Sequence, residues 1–210
     1  MIASAIFPSD FFGESETVKF PNELDAEKHS MLVLWGGEDI SSSWYKQKGI
    51  HTRATDTPSK RDVLEVGLAK EARKQGIPIL GICRGAQLIC ALDGGSLWQH
   101  VSNHTHEDHA IVFTDEMYPI VTGNSCHHQM MIPLQMSRNL VLATTKKALS
   151  PLKYKDSFDP VEDLNPEPEI VWFGDWRCVA VQGHPEWMDR GSEFNNVLRD
   201  IIDRYMGVTL

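Results

Sequence analysis

The sequence predicts an α/β fold in which helices cover both faces of an open, mostly parallel sheet. Two short runs, residues 31–35 and 77–82, are almost continuously apolar, which is typical of strands covered on both faces. A helical pattern lies between them, and a second helix follows the sharp turn at Cys83-Arg84-Gly85. This order indicates parallel strands joined by right-handed crossovers. A chain of 210 residues fits one domain or two small ones, and we expect a single domain over residues 1–210.

The helix between the two strands has clear start and stop signals. Thr57 or Ser59 is expected to cap its first turn, where Pro58 is well tolerated. Gly76 ends the helical pattern, and Pro78 follows two residues later. Apolar residues recur at helical spacing and are expected to face the core: Val63, Leu64, Leu68, Ala69 and Ala72.

The second half of the chain predicts further strands and a closing helix. The strands are expected at residues 110–114, 118–121, 140–144, 170–173 and 178–182. Gly174-Asp175 is predicted to form a two-residue hairpin turn between the last two. The helix begins near Glu193 and carries one apolar stripe, formed by Phe194, Val197, Leu198, Ile201, Ile202 and Tyr205.

The segment of residues 145–169 differs from its surroundings. It contains Pro151, Pro160, Pro166 and Pro168 among many charged residues and shows no periodicity. A long loop without secondary structure in a compact domain is usually functional or disordered. We therefore expect an irregular surface segment here.

The composition is that of a globular protein. Hydrophobic residues make up 41% of the chain and charged residues 23%, and the net charge is −9. This acidic balance argues against nucleic acid and anionic membranes as partners, because both favour clustered Lys and Arg. The first residues have neither the basic start of a secretory signal nor an apolar run long enough to span a membrane. The four cysteines show no metal-type pairing, so we expect reduced thiols in a cytoplasmic protein.

The strongest chemical signal is the segment Gly81-Ile82-Cys83-Arg84-Gly85, between an apolar strand and a helix. It has the form of a nucleophile elbow, in which a strained turn lifts the nucleophile out of the sheet. Amide groups at the start of the helix favour a thiolate and a nearby oxyanion. The alternative, a buried cysteine that only fills space, leaves the flanking glycines unexplained. Cys83 is therefore the predicted nucleophile.

The nucleophile needs a base, because a cysteine is mostly neutral thiol at neutral pH. His184 directly follows the predicted strand at residues 178–182 and is the candidate base. Glu186, two residues later, can fix the tautomer of the imidazole, as the third member of a triad does. We predict Cys83, His184 and Glu186 as the catalytic residues.

Backbone amides at two turns are candidates for an oxyanion hole. Gly36-Gly37 ends the first predicted strand, and Arg84 begins the helix after the nucleophile. Removing one such donor typically lowers the rate by about 10² to 10³. Gly37 and Arg84 are the predicted donors.

The sequence resembles the class I glutamine amidotransferases at these positions. Three motifs occur in the family's order within roughly residues 32–187: Gly-Gly-Glu-Asp-Ile from Gly36, Gly-Ile-Cys-Arg-Gly-Ala-Gln from Gly81, and His-Pro-Glu from His184. The arginine after the cysteine, Trp44-Tyr45 and the segment Asn124-Ser-Cys-His-His-Gln129 look most like the γ-glutamyl hydrolase branch, which includes the γ-glutamyl-GABA hydrolases. Three motifs in register are much more specific than any one alone.

The resemblance implies hydrolysis of a γ-glutamyl amide through a thioester on Cys83, without a cofactor or a metal. It implies that Gly37 and Arg84 supply the oxyanion amides. It also implies that residues of two motifs lie around the γ-glutamyl group: Gln87, Ser125 and His127.

The sequence departs from this branch at two positions. Gly183 stands where an apolar or aromatic residue is common, and Cys126 stands where Tyr or Phe is common. Both departures leave the triad intact and concern the acceptor side of the pocket.

Three functions stay open on the sequence alone. The first is a free-standing hydrolase of small γ-glutamyl conjugates, and the second is a glutaminase that passes ammonia to a synthase or ligase on a separate chain. The third is a catalytically inactive binding or regulatory module, which the presence of all three triad positions disfavours. Arg84 and His127-His128 favour the free-standing hydrolase.

A cluster of histidines suggests a metal site, but its spacing matches no common zinc pattern. We expect these to be loop histidines, some of them lining the cleft, and no metal: His100, His104, His106 and His109. We expect Cys90, Cys126 and Cys178 to be structural, with Cys126 the nearest of the three to the substrate.

Overall fold

The computed structural model describes all residues from 1 to 210. Two of the three helices lie in its first half, and strands dominate the second. In chain order the elements are β1 (Ile2–Ala5), β2 (Ser15–Val18), β3 (Met31–Leu34), α1 (Lys60–Gln75), β4 (Ile79–Ile82), α2 (Arg84–Leu92), β5 (Ser96–Trp98), β6 (His109–Phe113), β7 (Val121–Gly123), β8 (Met130–Ile132), β9 (Asn139–Thr145), β10 (Leu152–Lys153), β11 (Val161–Glu162), β12 (Pro168–Phe173), β13 (Cys178–Val181) and α3 (Glu193–Met206).

Nine strands form one open sheet in the order β2-β1-β3-β4-β13-β12-β9-β6-β7. Neighbours from β2 to β13 pair in parallel, and neighbours from β13 to β7 pair antiparallel. Because each antiparallel step reverses direction, only β12 and β6 run against the other seven strands. The predicted open, mostly parallel α/β sheet is confirmed.

Alternating side chains of the central strands build a core on each face of the sheet. Met31 and Val33 pack with the apolar stripe of α3, whereas Leu32 and Leu34 pack with residues of α1 and α2. This arrangement confirms that helices cover both faces. The predicted stripe of α3 is buried at Phe194, Val197, Leu198, Ile201 and Ile202. None of the helices has the length and apolar character needed to cross a lipid bilayer.

The ends of α1 follow the predicted signals. The Ser59 side chain accepts a hydrogen bond from the Asp62 amide, and the Asp62 side chain accepts one from the Ser59 amide. This reciprocal capping box fixes the start of the helix. Gly76 takes a left-handed conformation with φ of 73° at the other end, as a helix-terminating glycine does.

The buried face of α1 differs from the predicted one. Leu68, Ala69 and Ala72 are buried as expected, but Val63 is 58% exposed. Asp62 and Glu65 are buried instead. Carboxylates are buried here because they pair with an arginine from the core, a requirement that an apolar pattern cannot indicate.

Several short strands were not predicted or lie at different positions. β1, β2, β5 and β8 were not predicted, because three or four residues carry little periodicity without their pairing partners. The strand predicted at residues 118–121 begins only at Val121. The turn after β12 has four residues rather than two, since Gly174–Trp176 form a 3₁₀ turn and Arg177 follows with φ of 46°.

The prediction of an irregular segment at residues 145–169 is wrong in its central part. β10 and β11 pair antiparallel within it. Lys153 is buried and pairs with Asp163 at 3.1 Å and Glu167 at 3.3 Å. The Glu167 carboxylate accepts the amides of Leu149 and Ser150. Charged residues that suggested exposure therefore form the buried polar centre of this segment.

Candidate active site

Cys83 occupies a strained turn between β4 and α2. Its φ of 48° and ψ of −103° lie outside the regions that L-residues favour. A Cβ atom on Gly81 would lie 2.9 Å from the Gly85 backbone, and one on Gly85 would lie 2.3 Å from the Leu34 carbonyl oxygen. The two flanking glycines are thus required by close backbone approach, as the elbow pattern predicts.

The Cys83 side chain is only 5% exposed. Burial raises the pKa of its thiol to about 12, and the Arg84 amide N–H, which hydrogen-bonds to the sulfur, opposes that rise. The nearby Glu186 carboxylate raises the pKa further. The resting residue is therefore a neutral thiol, and a base must remove its proton during the reaction.

The His184 imidazole has the orientation that a base requires. Its Nδ1 lies 2.7 Å from a Glu186 carboxylate oxygen, and a carboxylate can only accept there. Nδ1 therefore carries the proton, and the Nε2 lone pair is free for the thiol. The Trp187 ring stacks parallel to the imidazole at 3.8 Å between centroids, which holds the ring plane.

Gly36 lies between the nucleophile and the base. A Cβ atom built on Gly36 would be 2.5 Å from His184 Cε1 and 3.4 Å from Cys83 Cβ. Cys83, His184 and Glu186 also line one cavity of about 440 Å³. The cysteine and the histidine make no direct hydrogen bond in this structure, and such contacts commonly tighten only when substrate binds. The three predicted triad residues are thus brought together although Cys83 and His184 are 101 residues apart in sequence.

The loop after β3 is held by Arg61. Its Nη2 donates to the Gly36 carbonyl at 2.9 Å and to the Trp35 carbonyl at 3.1 Å. In a trans peptide the amide N–H points opposite to the carbonyl, so the Gly37 N–H points away from Arg61. Gly37 and Cys83 line the same two cavities, which brings this amide near the nucleophile. Together with the Arg84 N–H, it fits the predicted oxyanion hole.

The Arg84 side chain points away from the cavity, into the core. Its guanidinium is 1% exposed and contacts Asp62 at 2.5 Å and the Glu65 carboxylate. Only the backbone amide of Arg84 is therefore available to substrate. The side chain anchors the elbow to α1 and lines neither cavity. The arginine that the resemblance singled out is therefore a packing residue in this structure.

Asn124 positions the backbone of His184, a role that the sequence did not predict. Its side chain accepts the His184 amide and donates to the His184 carbonyl, both at 2.8 Å. The same residue accounts for Gly183, because a Cβ there would lie 2.5 Å from the Asn124 carbonyl oxygen. The one sign of this role in the sequence is the position of Asn124 at the start of the Asn124–Gln129 motif.

A second cavity of about 460 Å³ opens on the other side of Cys83. Gln87 and His127 line it as predicted, and Cys126 lines both cavities. The Gln87 amide donates to the Gln129 carbonyl at 2.9 Å, so it also supports the cavity wall. Ser125 is not among the lining residues, because its buried hydroxyl donates to the Glu107 carbonyl.

The carboxylates of this larger cavity all have partners within the protein. Its three carboxylates each contact a cationic or imidazole group, in the pairs Glu38–Arg61, Asp39–His128 and Asp62–Arg84. The Arg53 side chain also lines the cavity and makes no ion pair. The cavity therefore offers one free cationic group to a ligand.

Comparison with known proteins identifies relatives with this architecture. Residues 25–142 match the family model described as Peptidase C26. The protein NtpR of Enterococcus hirae is 30% identical, in an alignment that covers 74% of this chain and 66% of that protein. A Mycobacterium tuberculosis protein named as a candidate glutamine amidotransferase is 32% identical, in an alignment that covers 88% of this chain and 64% of that protein. The chain thus spans about two thirds of the length of these relatives.

The fold is shared with solved amidotransferase structures. A glutamine amidotransferase from Thermotoga maritima superposes with a TM-score of 0.59 at 17% identity, covering 96% of this chain and 84% of that chain. At this identity the likeness concerns the fold alone. The family match to residues 25–142 covers more than half of the sequence. This chain therefore belongs to the peptidase C26 family, a family of class I glutamine amidotransferase-like proteins.

Proposed function

We propose that the protein hydrolyses a γ-glutamyl amide through a thioester on Cys83, as a free-standing hydrolase. The observation that carries this proposal is the strained elbow of Cys83 beside the hydrogen-bonded pair His184–Glu186. Family membership supports the coarser activity, that of a cysteine-type amidohydrolase or amidotransferase. No step of this chemistry needs a cofactor or a metal.

The proposed acylation step uses Cys83 as the nucleophile and His184 as the base. His184 Nε2 takes the proton of the Cys83 thiol as the sulfur attacks the amide carbon and forms the C–S bond. The carbonyl oxygen becomes an oxyanion that accepts the amides of Gly37 and Arg84. His184 then returns the proton to the nitrogen as the C–N bond breaks, and the amine leaves.

Deacylation repeats the same proton transfers with water. Water loses a proton to His184 as it attacks the thioester, and a second oxyanion forms in the same place. The C–S bond breaks, the sulfur recovers the proton, and free glutamate leaves. Glu186 stabilises the imidazolium that forms in each half of the reaction.

The larger cavity is the proposed binding site for the γ-glutamyl group. Its volume of about 460 Å³ leaves room for a small conjugate. Arg53 is the cationic group available for a substrate carboxylate, and Gln87 and His127 form part of the wall. We keep the small-molecule substrate and the cytoplasmic location as predictions, with no role for nucleic acid or membrane.

The alternative is a glutaminase that delivers ammonia to a separate synthase or ligase chain. The relative named as a glutamine amidotransferase favours this alternative over an inactive module. The two enzymatic functions share the thioester and differ in the leaving amine. They are therefore distinguished by the substrate that the isolated protein accepts.

The test compares glutamine with a set of γ-glutamyl amines on the purified protein without a partner. We expect faster release of glutamate from the conjugates, no turnover by Cys83→Ala, and normal turnover by Cys90→Ala, which alters a buried thiol beneath the sheet. Hydrolysis of glutamine alone would favour the glutaminase. Absence of turnover and of Cys83 labelling by a glutamine-mimicking diazo-ketone would identify an inactive module.

A further inference from the structure

A buried cluster of histidine and glutamate side chains lies behind the larger cavity. The histidine–glutamate cluster comprises His104, His109, His127 and Glu169. The His104 and His127 rings are 4.6 Å apart between centroids, and His104 Nδ1 lies 4.0 Å from Glu169 Oε1. The four residues come from two loops, β6 and β12, so only the fold brings them together.

Several polar atoms of this cluster have no partner although they are buried. His104 is 0% exposed, and neither of its ring nitrogens makes a hydrogen bond. His127 Nε2 and one Glu169 oxygen, Oε2, are likewise buried without a partner. Unsatisfied buried polar atoms are rare because each costs about 1–3 kcal/mol. Three such residues around one point indicate a ligand between them.

The hydrogen bonds that do exist leave other atoms of the cluster with free lone pairs. His127 Nδ1 lies 2.9 Å from the Gln129 carbonyl, which can only accept, so Nδ1 carries the proton and Nε2 a lone pair. His109 Nε2 contacts the other Glu169 oxygen at 2.9 Å and orients the carboxylate. Metal-binding histidines and carboxylates are usually held by such outer hydrogen bonds.

The types of side chain also suit a cation. Two imidazoles with one carboxylate are a common ligand set for zinc.

We propose that His104, His127 and Glu169 bind a zinc ion, with a water molecule completing the coordination. Their ligand atoms lie within 4.8 Å of one another, whereas a tetrahedral site with bonds of about 2.0 Å places them about 3.3 Å apart. Zinc binding therefore requires these ligand atoms to move together by up to about 1.5 Å. The sequence predicted no metal site at the histidine run of residues 100–109. That prediction could not include His127 and Glu169, which lie far from the run in sequence.

The ion has a structural role in this arrangement. It joins the loop carrying His104, the Asn124–Gln129 motif and β12, and His127 belongs to the wall of the larger cavity. Binding therefore fixes the wall of the proposed substrate site without touching the thiol chemistry. The inference is independent of which amide the protein hydrolyses.

The test is a Co²⁺ titration of chelator-treated protein carrying Cys83→Ala, which removes the nucleophilic thiol as a competing ligand. We expect one equivalent of Co²⁺ to give the visible absorption of a four-coordinate site, displaced by Zn²⁺. Glu169→Gln and His104→Gln should abolish this saturable binding. His109→Gln, which keeps the three ligands, should weaken it by about 10- to 100-fold. The matched control His100→Gln, in the same histidine run but outside the cluster, should bind normally.

Circular dichroism establishes that each variant is folded. Absence of one-equivalent binding in the folded Cys83→Ala protein overturns the proposal and leaves a buried cluster that holds water. Binding that survives both ligand substitutions also overturns it. If those variants do not fold, X-ray absorption of the zinc-loaded Cys83→Ala protein decides: two imidazoles and no sulfur support the site, and any other first shell refutes it.

Discussion

Replacing Gly36 with alanine tests the close approach of the base to the loop after β3. The added Cβ would lie 2.5 Å from His184 Cε1, whereas ordinary contacts begin at 3.4 Å. The imidazole must therefore retreat by about 0.9 Å or the loop must move by a similar distance. A displacement of about 1 Å in a catalytic group costs about 10² in rate, or about 2.7 kcal/mol. We expect kcat/KM to fall by about that factor.

The assay measures kcat/KM for a γ-glutamyl amide beside the melting temperature of the variant. Gly191→Ala is the matched control, because Gly191 is exposed and its added Cβ meets only the flexible Asp189 side chain, at 3.2 Å. The rate of Cys83 alkylation by iodoacetamide across pH reports whether His184 still assists the thiol. A folded Gly36→Ala protein with activity within about threefold of the wild type would refute the argument.

Three further predictions follow from the site and its surroundings. Glu186→Gln should reduce kcat less than His184→Ala, because the glutamate orients the imidazole whereas the histidine transfers protons in both half-reactions. An equal or larger loss of kcat in Glu186→Gln would contradict these roles. Deleting residues 155–160, the exposed tip between β10 and β11, should change the relative rates on different γ-glutamyl amides while diazo-ketone labelling of Cys83 persists. Loss of labelling in a folded protein would show that this tip helps to build the catalytic centre. Because the pKa of His104 is lowered by burial, its contribution to stability is present above about pH 6.5 and is lost as pH falls towards 4. Urea unfolding of metal-free protein should show this loss, and His104→Gln should flatten it; the same slope in both would contradict the assignment.

The elements that could be predicted from the sequence have causes that lie within a short stretch of chain. β3 and β4 are apolar throughout because both faces of the sheet are covered. α1 begins at a capping box and ends at a left-handed glycine, both visible as residue types. The elbow likewise needs its glycines for contacts made within a few residues or with the adjacent strand. Each of these features is visible as a pattern of residue types in a short stretch, although Gly85 meets Leu34 on the neighbouring strand.

The missed features depend on contacts between distant segments. Asn124 holds His184 across 60 residues, and its place at the start of a motif does not reveal that partner. Arg61 fixes the Gly36 carbonyl from a helix that the apolar pattern had oriented differently. β1 and β2 form only because parallel partners are available at the edge of the sheet. Such features need the topology before they can be inferred.

The buried charges of α1 connect the fold of this protein to its proposed chemistry. Glu65 contacts the guanidinium groups of both Arg61 and Arg84, and Asp62 binds Arg84 from the adjacent turn. Hydrophobic residues of similar size would often be as stabilising at such positions, because burying ions carries a large desolvation cost. The ionic arrangement instead fixes two backbone segments relative to each other: Arg61 holds the loop that presents Gly37, and Arg84 holds the elbow. One face of a single helix thus sets the separation of the two amides that we propose as the oxyanion hole. The same buried charges explain why the apolar pattern of α1 misassigned its buried face.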